Sequence, residues 1–160
     1  MNNISEVDGG AGHDRIYGTQ SDDVIKGGAG NDRLYGESGA DVIHGGAGSD
    51  LIYGGDGNDF IRGDAGNDRL YGQSGDDTFV FGEGGGSDIV KGGSGWLDNI
   101  HLENQDGSTP STDNWELTLK SGSVQEQADN YITLSKDSAG TIRFDDGSEL
   151  NFDGIEKIDW

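Results

Sequence analysis

A nine-residue period in the first half of the sequence is the feature that most restricts how this chain can fold. Counted from Gly9, the first position of eight consecutive units is always glycine and the eighth is always a large apolar residue. The sixth position is always aspartate, at Asp14, Asp23, Asp32, Asp41, Asp50, Asp59, Asp68 and Asp77. A disordered linker has no physical reason to keep three properties in one period, so the pattern predicts a repeat structure.

Composition decides which partners such a chain can have. It has 160 residues, of which 31 are glycine and 30% are hydrophobic, and its formal net charge is −21. Strong negative charge disfavours nucleic acid and anionic membranes and favours cations. There is no cysteine, so no disulfide supports the fold. No apolar run has the length of a membrane helix, so we expect no membrane insertion. We also expect a monomer. The start, MNNISEVDGG, lacks a signal-peptide pattern and soon enters the repeat, which suggests a piece of a longer chain.

A second period of eighteen residues indicates that two units make one structural turn. Tyrosine recurs at Tyr17, Tyr35, Tyr53 and Tyr71, in every other unit. Glycine at positions one, two and four permits positive φ and tight turns. The three residues after each aspartate alternate polar and apolar, as in a short strand with one inward side chain. The sequence therefore predicts an all-β fold, in which a flattened coil stacks parallel strands and encloses the position-eight side chains.

The aspartates of such a coil fall into two columns, one along each edge. Adjacent strands lie about 4.8 Å apart, and two carboxylates about 5 Å apart repel by roughly 3 kcal/mol at an effective dielectric near 20. Carboxylates together with backbone carbonyls are the hard oxygen ligands that calcium accepts flexibly, whereas magnesium demands stricter geometry. The columns therefore predict bound calcium.

The units GGAGNDRLY, GGAGSDLIY and GGDGNDFIR resemble the repeats-in-toxin (RTX) nonapeptide. The resemblance implies a calcium-binding parallel β-roll with sites between consecutive turns on the same edge. One turn would supply its aspartate and the carbonyls of positions one and three, and the next its aspartate and the carbonyls of positions two and four. One such site would combine Asp32, Gly27 and Ala29 with Asp50, Gly46 and Gly48.

Carried over the whole array, the resemblance implies six calcium sites. The backbone ligands would be Gly9, Ala11, Gly18, Gly27, Gly28, Ala29, Gly30, Gly36, Ser38, Gly39, Gly45, Gly46, Ala47, Gly48, Gly54, Gly55, Asp56, Gly57, Gly63, Asp64, Ala65, Gly66, Gly72, Ser74 and Gly75. The unit at 18–26 lacks glycine at positions two and four, so a weaker site is expected there. After Asp77 the period slips, but Asp88 and Asp98 still precede an aliphatic by two residues. Both are predicted to ligate calcium in an irregular last turn, which raises the number of ions to about eight.

The composition changes near residue 99, which divides the chain into a roll at 1–98 and a tail at 99–160. Apolar and polar residues alternate at 115–120, 131–134, 141–144 and 149–152, and the sequence AspAspGlySer at 145–148 predicts a hairpin. The tail is thus predicted to be a small antiparallel β unit that caps the open end of the coil, as repeat arrays require.

The tail also resembles the C-terminal target domain of type I secretion substrates, with large bacterial RTX adhesins as the nearest relatives. The segments that carry this resemblance include the Trp-x-Leu-Thr-Leu run at 115–119 and GlyIleGluLysIleAspTrp at 154–160. It implies a secreted or cell-surface bacterial protein that uses the type I secretion machinery. The resulting hypothesis is a non-catalytic module of an adhesin, unfolded at cytosolic calcium and folded outside.

Two alternatives are left open by the sequence. The tyrosines, flanked by Arg15, Arg33 and Arg69, could form an outward face that binds a ligand, although such ladders are more often structural. The chain could also be the C-terminal module of a secreted RTX protease or lipase. No catalytic motif surrounds the three histidines, so no catalytic residue is predicted.

Overall fold

The computed structural model describes residues 5–82, 84–104, 107–111 and 114–160, and within these ranges the protein is all-β. No helix long and apolar enough to span a membrane occurs there. The strands are β1 Ser5–Asp8, β2 Arg15–Tyr17, β3 Asp23–Ala29, β4 Arg33–Ser38, β5 Val42–Ala47, β6 Leu51–Asp56, β7 Phe60–Ala65, β8 Arg69–Ser74, β9 Thr78–Gly82, β10 Ser87–Ser94, β11 Asn99–Glu103, β12 Trp115–Ser121, β13 Val124–Gln127, β14 Tyr131–Phe144 and β15 Glu149–Asp159. Residues 1–4 and 83 of the predicted roll, and 105–106 and 112–113 of the predicted tail, lie outside the described residues.

The first eleven strands wind into a parallel β-solenoid of about five turns, which confirms the predicted coil. Strands β1, β3, β5, β7, β9 and β11 lie side by side in one layer, and β2, β4, β6, β8 and β10 form the facing layer. The register between neighbours is one eighteen-residue turn: Ile25 pairs with Ile43, and Ile43 pairs with Ile61.

The core of the solenoid is a single file of position-eight side chains from each layer. Seven of the eight are at most 1% exposed, and Ile16 at the open end is 8% exposed. Val90 and Ile100 continue the two files and are equally buried. The extra residues of the last turn therefore do not displace its strands, because Val90 still pairs with Leu70 and Ile100 with Phe79.

The strands are longer than the predicted three residues, because positions one to three of the following unit also pair with the neighbouring turn. Thus β4 continues to Ser38, which pairs with Asp56. Positive φ occurs at positions two and four, as at Gly28 (103°) and Gly30 (136°), but not at position one. The predicted positive φ at position one is therefore wrong, so glycine must occupy this position for a reason other than backbone conformation.

Strands β12 to β15 form a separate antiparallel unit, as the sequence predicts for the tail. The predicted hairpin joins β14 to β15, where the amide of Phe144 donates to the carbonyl of Ser148. The sequence predicted two strands where β14 is one continuous strand, and it did not predict β13.

Strand β15 joins the two units, because it pairs with both layers of the solenoid. Residues 149–153 run parallel to β10, and residues 157–159 run parallel to β11. The carboxyl-terminal edges of both layers are thereby covered by one bent strand, and β14 covers that strand in turn. Sheet edges that would otherwise stay open are closed in this way.

The single-file core makes the roll sensitive to each inward side chain. We expect Ile52→Ala to lower the free energy of unfolding in saturating calcium by about 2–4 kcal/mol, because Ile52 is fully buried and its neighbours are held by backbone pairing. The control is Phe60→Ala, whose side chain faces outward and is 38% exposed. Denaturant unfolding measures both. Equal losses for the two variants would contradict the single-file core.

Candidate metal centre

All ten predicted aspartates lie at the corners of the solenoid, immediately before the strands or at their first residues. Nine of them are at most 3% exposed. Asp14, in the first turn, is partly buried. Burial of so many carboxyl groups is unfavourable unless each charge is compensated, so their surroundings decide what the columns can do.

In eight of the ten aspartates, from Asp32 onward, one carboxylate oxygen accepts from the backbone of the preceding turn. The amide of Asp32 donates to Oδ1 of Asp50 at 2.7 Å, and the amide of Asp50 donates to Oδ1 of Asp68 at 2.8 Å. The same bond links the other column, as from the amide of Asp59 to Oδ1 of Asp77 at 3.0 Å. The structure thus brings the predicted aspartates together as two ladders, and Asp88 and Asp98 continue them.

The second oxygen is buried without a hydrogen-bond partner in the described part of the chain. This holds for Oδ2 of Asp14, Asp32, Asp41, Asp50, Asp59, Asp68 and Asp77. An orphaned buried acceptor costs on the order of 1–3 kcal/mol, and a charged one costs more. Such oxygens, repeated at one position of each turn, are what a column of bound cations would satisfy.

The position-one glycines show which oxygens lie close together at the corners of the roll. A Cβ built on Gly27 would lie 2.5 Å from Oδ2 of Asp32 and 2.5 Å from the carbonyl oxygen of Gly45 in the next turn. On Gly45 it would lie 2.5 Å from Oδ2 of Asp50 and 2.6 Å from the carbonyl oxygen of Gly63. Both distances are too short for a real Cβ contact, so any side chain at position one would collide with these two oxygens. Glycine occupies position one for this steric reason, and not because of its φ.

Side chains alone do not complete these sites. Within the described ranges, no group of three or more His, Asp or Glu side chains is placed to hold a metal ion. Any cation in the columns must therefore bind backbone carbonyls as well, which favours calcium over soft metals. The residues present thus fit calcium, and the full set of predicted carbonyl ligands stays a prediction.

The unit at 18–26, which lacks glycine at positions two and four, holds its aspartate differently from the others. The amide of Thr19 donates to Oδ2 of Asp23 at 2.6 Å, so this oxygen is already engaged. The weaker site expected here stays a prediction, and the hydrogen bond gives it a physical basis.

The two columns end differently at the tail. In the register of β10 and β15, Leu150 lies opposite Asp88, so an apolar residue follows the last aspartate of one column. In the other, the amide of Asp98 donates to Oε2 of Glu156 at 2.9 Å, so a glutamate takes the place of the next aspartate. Sequence reasoning missed Glu156, because it lies far beyond the repeat and no spacing connects it to Asp98.

The position-five side chains form another ladder that was not predicted. Oδ1 of Asn31 accepts from the amide of Ser49 at 2.8 Å, and Oδ1 of Asn67 accepts from the amide of Ser87 at 2.9 Å. In the first turn, Nδ1 of His13 accepts from the amide of Asn31. The recurrence of Asn, Asp and Ser at this position was the available signal, and it indicates a structural role for His13.

Burial raises the pKa of seven column carboxyls, and the charges of neighbouring acidic groups add to the effect in most of them; the seven are Asp41, Asp50, Asp59, Asp68, Asp77, Asp88 and Asp98. The pKa of Asp68 rises to about 8, and those of Asp77 and Asp88 rise to about 7. The pKa values of Asp41 and Asp98 rise to about 6. Hydrogen bonds from the backbone oppose these shifts without cancelling them. The metal-free columns are therefore electrostatically unfavourable at neutral pH.

The outer faces of the roll carry no comparable arrangement. The predicted tyrosine ladder is present, with ring centroids 4.7–5.3 Å apart and nearly parallel planes. The guanidinium of Arg15 lies over Tyr17 and Tyr35. These rings contact one another, as expected of a structural ladder. Of the other two histidines, His101 contacts Asp159 and His44 lies beside Asp64.

Comparison with protein families finds one match. A model of the RTX calcium-binding nonapeptide repeat matches four times, at residues 8–43, 27–61, 35–70 and 53–85. Together the matches cover the solenoid from the residue before Gly9 to Gly85, and none reaches the tail. A search of curated proteins found no match.

The raised pKa values predict how the metal-free protein responds to pH. Folded carboxyls with pKa values between about 6 and 8 bind more protons than unfolded aspartates, whose pKa is about 3.9. The folded state therefore gains stability as the pH falls from about 8 to about 5. With a chelator present, this change should increase the β-sheet signal in circular dichroism. In saturating calcium it should have little effect, and a metal-free signal that does not depend on pH would contradict the prediction.

Proposed function

We propose, from the premise that residues 8–85 are RTX calcium-binding nonapeptide repeats folded as an RTX β-roll, that this chain is a calcium-dependent folding module of a secreted bacterial protein. The match to RTX calcium-binding repeats supports calcium binding by the roll. The proposal adds that the roll is unfolded at cytosolic calcium, folds outside the cell, and belongs to an adhesin exported by type I secretion.

The observation that carries the proposal is the row of orphaned buried Oδ2 atoms. Each folded turn removes carboxylates from water and stacks them along an edge, and without a cation nothing in the described chain neutralises them. The net charge of −21 adds general repulsion to this local cost. Calcium removes both penalties and adds ligand bonds, so folding and metal binding become one equilibrium.

Calcium concentration can then act as the folding signal. Extracellular calcium modules have dissociation constants of about 10⁻⁴–10⁻³ M, far above the free calcium of a cytosol. With such affinities the chain stays unfolded in the cytosol and can pass through an export channel. It then folds outside the cell, where calcium is abundant. The RTX repeat and the β-roll are non-catalytic in themselves, so any activity of the whole protein is proposed to lie in other segments.

The tail is proposed to serve as cap and as export address. Its resemblance to type I target domains supports the address, and the pairing of β15 with β10 and β11 supports the cap. Its tryptophans and apolar strands give the last turn of the roll a surface on which to form. The tyrosine face remains a weaker second candidate for ligand binding, because Tyr17 is 49% exposed but its neighbours are partly buried by stacking.

A calcium titration with two matched variants tests the metal part of the proposal. We expect the chelated chain to be largely unfolded by circular dichroism, and isothermal titration to count about six to eight ions. Asp50→Ala should raise the calcium midpoint of folding by roughly tenfold or more, because Asp50 lies between two turns of its column and adjoins two sites. Asp14→Ala, at the end of the column, should raise it less.

Three outcomes would contradict this part. The first is a chelated chain that is already folded, and the second is a count of fewer than four ions. The third is equal midpoints for the two variants, which would argue against shared coordination.

Removal of the tail tests the cap and the address. A chain that ends at Glu103 keeps β11 but loses β12 to β15, so both layers end in open edges. We expect it to stay largely disordered at calcium concentrations that fold the full chain, as measured by circular dichroism. In a type I export assay, a passenger fused to residues 99–160 should be exported, whereas one fused to residues 1–103 should not. Folding of the truncated chain at the same calcium concentration would show that the cap is dispensable.

A further inference from the structure

The end of the second aspartate column repeats the contacts of the roll with residues of the tail. Within the roll, the amide of Asp77 donates to Oδ1 of Asp98 at 2.9 Å. One turn later, the amide of Asp98 donates to Oε2 of Glu156 at 2.9 Å. Glu156 therefore stands where the next column aspartate would stand, although it is 58 residues further along the chain.

The carbonyl arrangement is repeated as well. In the roll, a Cβ on Gly72 would meet both Oδ2 of Asp77 and the carbonyl oxygen of Gly92. A Cβ on Gly92 would likewise meet Oδ2 of Asp98 and the carbonyl oxygen of Gly154. Gly154 in β15 thus supplies the carbonyl that a position-one glycine supplies elsewhere. The pairing of a carboxylate oxygen with a carbonyl oxygen, which occurs between two turns of the roll, is therefore present again between the roll and the tail.

The acidic groups at this junction are buried. Asp98 is 1% exposed and Glu156 is 8% exposed. Among the described residues, Oδ2 of Asp98 receives no hydrogen bond, and Lys, Arg and His form no ion pair with Asp98. Oδ2 of Asp98 lies beside Gly92, close to the carbonyl oxygen of Gly154. Its charge needs a partner there.

The replacement of aspartate by glutamate follows from the local spacing. In a nonapeptide, the position-one glycine precedes its aspartate by five residues, as Gly45 precedes Asp50. In β15, Gly154 precedes Glu156 by only two, so the acidic side chain starts from a different point on the backbone. The additional methylene of glutamate allows the carboxylate to reach the amide of Asp98. Backbone bonds from Glu156 and Lys157 to the carbonyl of Asp98 hold this segment in place.

We propose that Asp98, Glu156 and the carbonyl of Gly154 form a calcium site at the junction of roll and tail, in addition to the sites of the nonapeptides. This inference rests on the proposed calcium-dependent folding and assigns it one further ion. Because the ligands come from both units, the ion binds only when β15 is docked, and it fastens the tail to the last turn. The first column has no counterpart, because Leu150 follows Asp88 there.

Isothermal titration of the full chain with calcium chloride tests the proposal. Glu156→Gln keeps the shape and the hydrogen-bond acceptor but removes the charge, so it should bind one ion fewer than the unmodified chain. Glu116→Gln, the same change at an exposed position of β12, should keep the full number. An unmodified chain that binds no calcium refutes the proposed function itself. Normal binding by the unmodified chain with equal counts and affinities in Glu156→Gln refutes only the junction site.

Tryptophan fluorescence is a second measurement, and it reports whether the tail is docked on the roll. Trp115 and Trp160 contact each other in the tail, with ring centroids 5.1 Å apart, and Trp96 lies two residues before Asp98. The roll from residue 5 to residue 82 contains no tryptophan. We therefore expect the calcium-dependent change in tryptophan fluorescence to move to at least tenfold higher calcium in Glu156→Gln, and to be unchanged in Glu116→Gln. An unchanged midpoint in Glu156→Gln would overturn the proposal.

A variant that keeps the charge covers the case in which Glu156→Gln does not fold in saturating calcium. Glu156→Asp retains the carboxylate but draws it back by one methylene, so it should bind the full number of ions with at least tenfold weaker affinity for one of them. Unchanged affinity for every ion in Glu156→Asp would overturn the junction site as well.

Discussion

The structure depends on the stacking of buried carboxylates, one per turn along each edge of a flattened coil. From Asp32 onward, Oδ1 of each column aspartate accepts from the amide of the aspartate one turn earlier. In seven of the ten aspartates, Oδ2 is buried without a hydrogen bond, close to a backbone carbonyl. The first contact sets the register of the turns, and the second makes that register unfavourable without a cation. Strand pairing and the thin core follow from this arrangement, and the proposed response to calcium rests on it.

The thin core gives the roll little apolar stabilisation of its own. An ordinary domain buries several large side chains for each element, whereas this roll buries one apolar residue for every nine. Backbone pairing between turns adds a modest net contribution. The small apolar interior and the many buried charges both support the proposal that folding depends on bound calcium.

The tail covers the unpaired strand edges that any stacked coil has at its end. Its bent strand β15 continues both layers, supplies the last carbonyl of one column through Gly154, and supplies a carboxylate through Glu156. It closes the other column with Leu150, which is part of the apolar core. One column therefore ends in polar ligands and the other in hydrophobic packing. The tail thus pairs with the last turn of the roll as a further turn would, although its sequence lacks the repeat.

Sequence alone determined the roll, because its period ties each residue to a position in space. Asp50, Ile52 and Tyr53 could be assigned to a corner, the core and the outer face from spacing, since neighbours are one turn apart in a parallel stack. Only the tertiary structure decided the rest. It showed that position-one glycines avoid a clash with a carboxylate and a carbonyl and do not adopt positive φ, and it brought Glu156 to Asp98. Contacts of that second kind depend on how β15 bends over the end of the roll, and no local pattern in a non-repeating segment encodes which side chain arrives there.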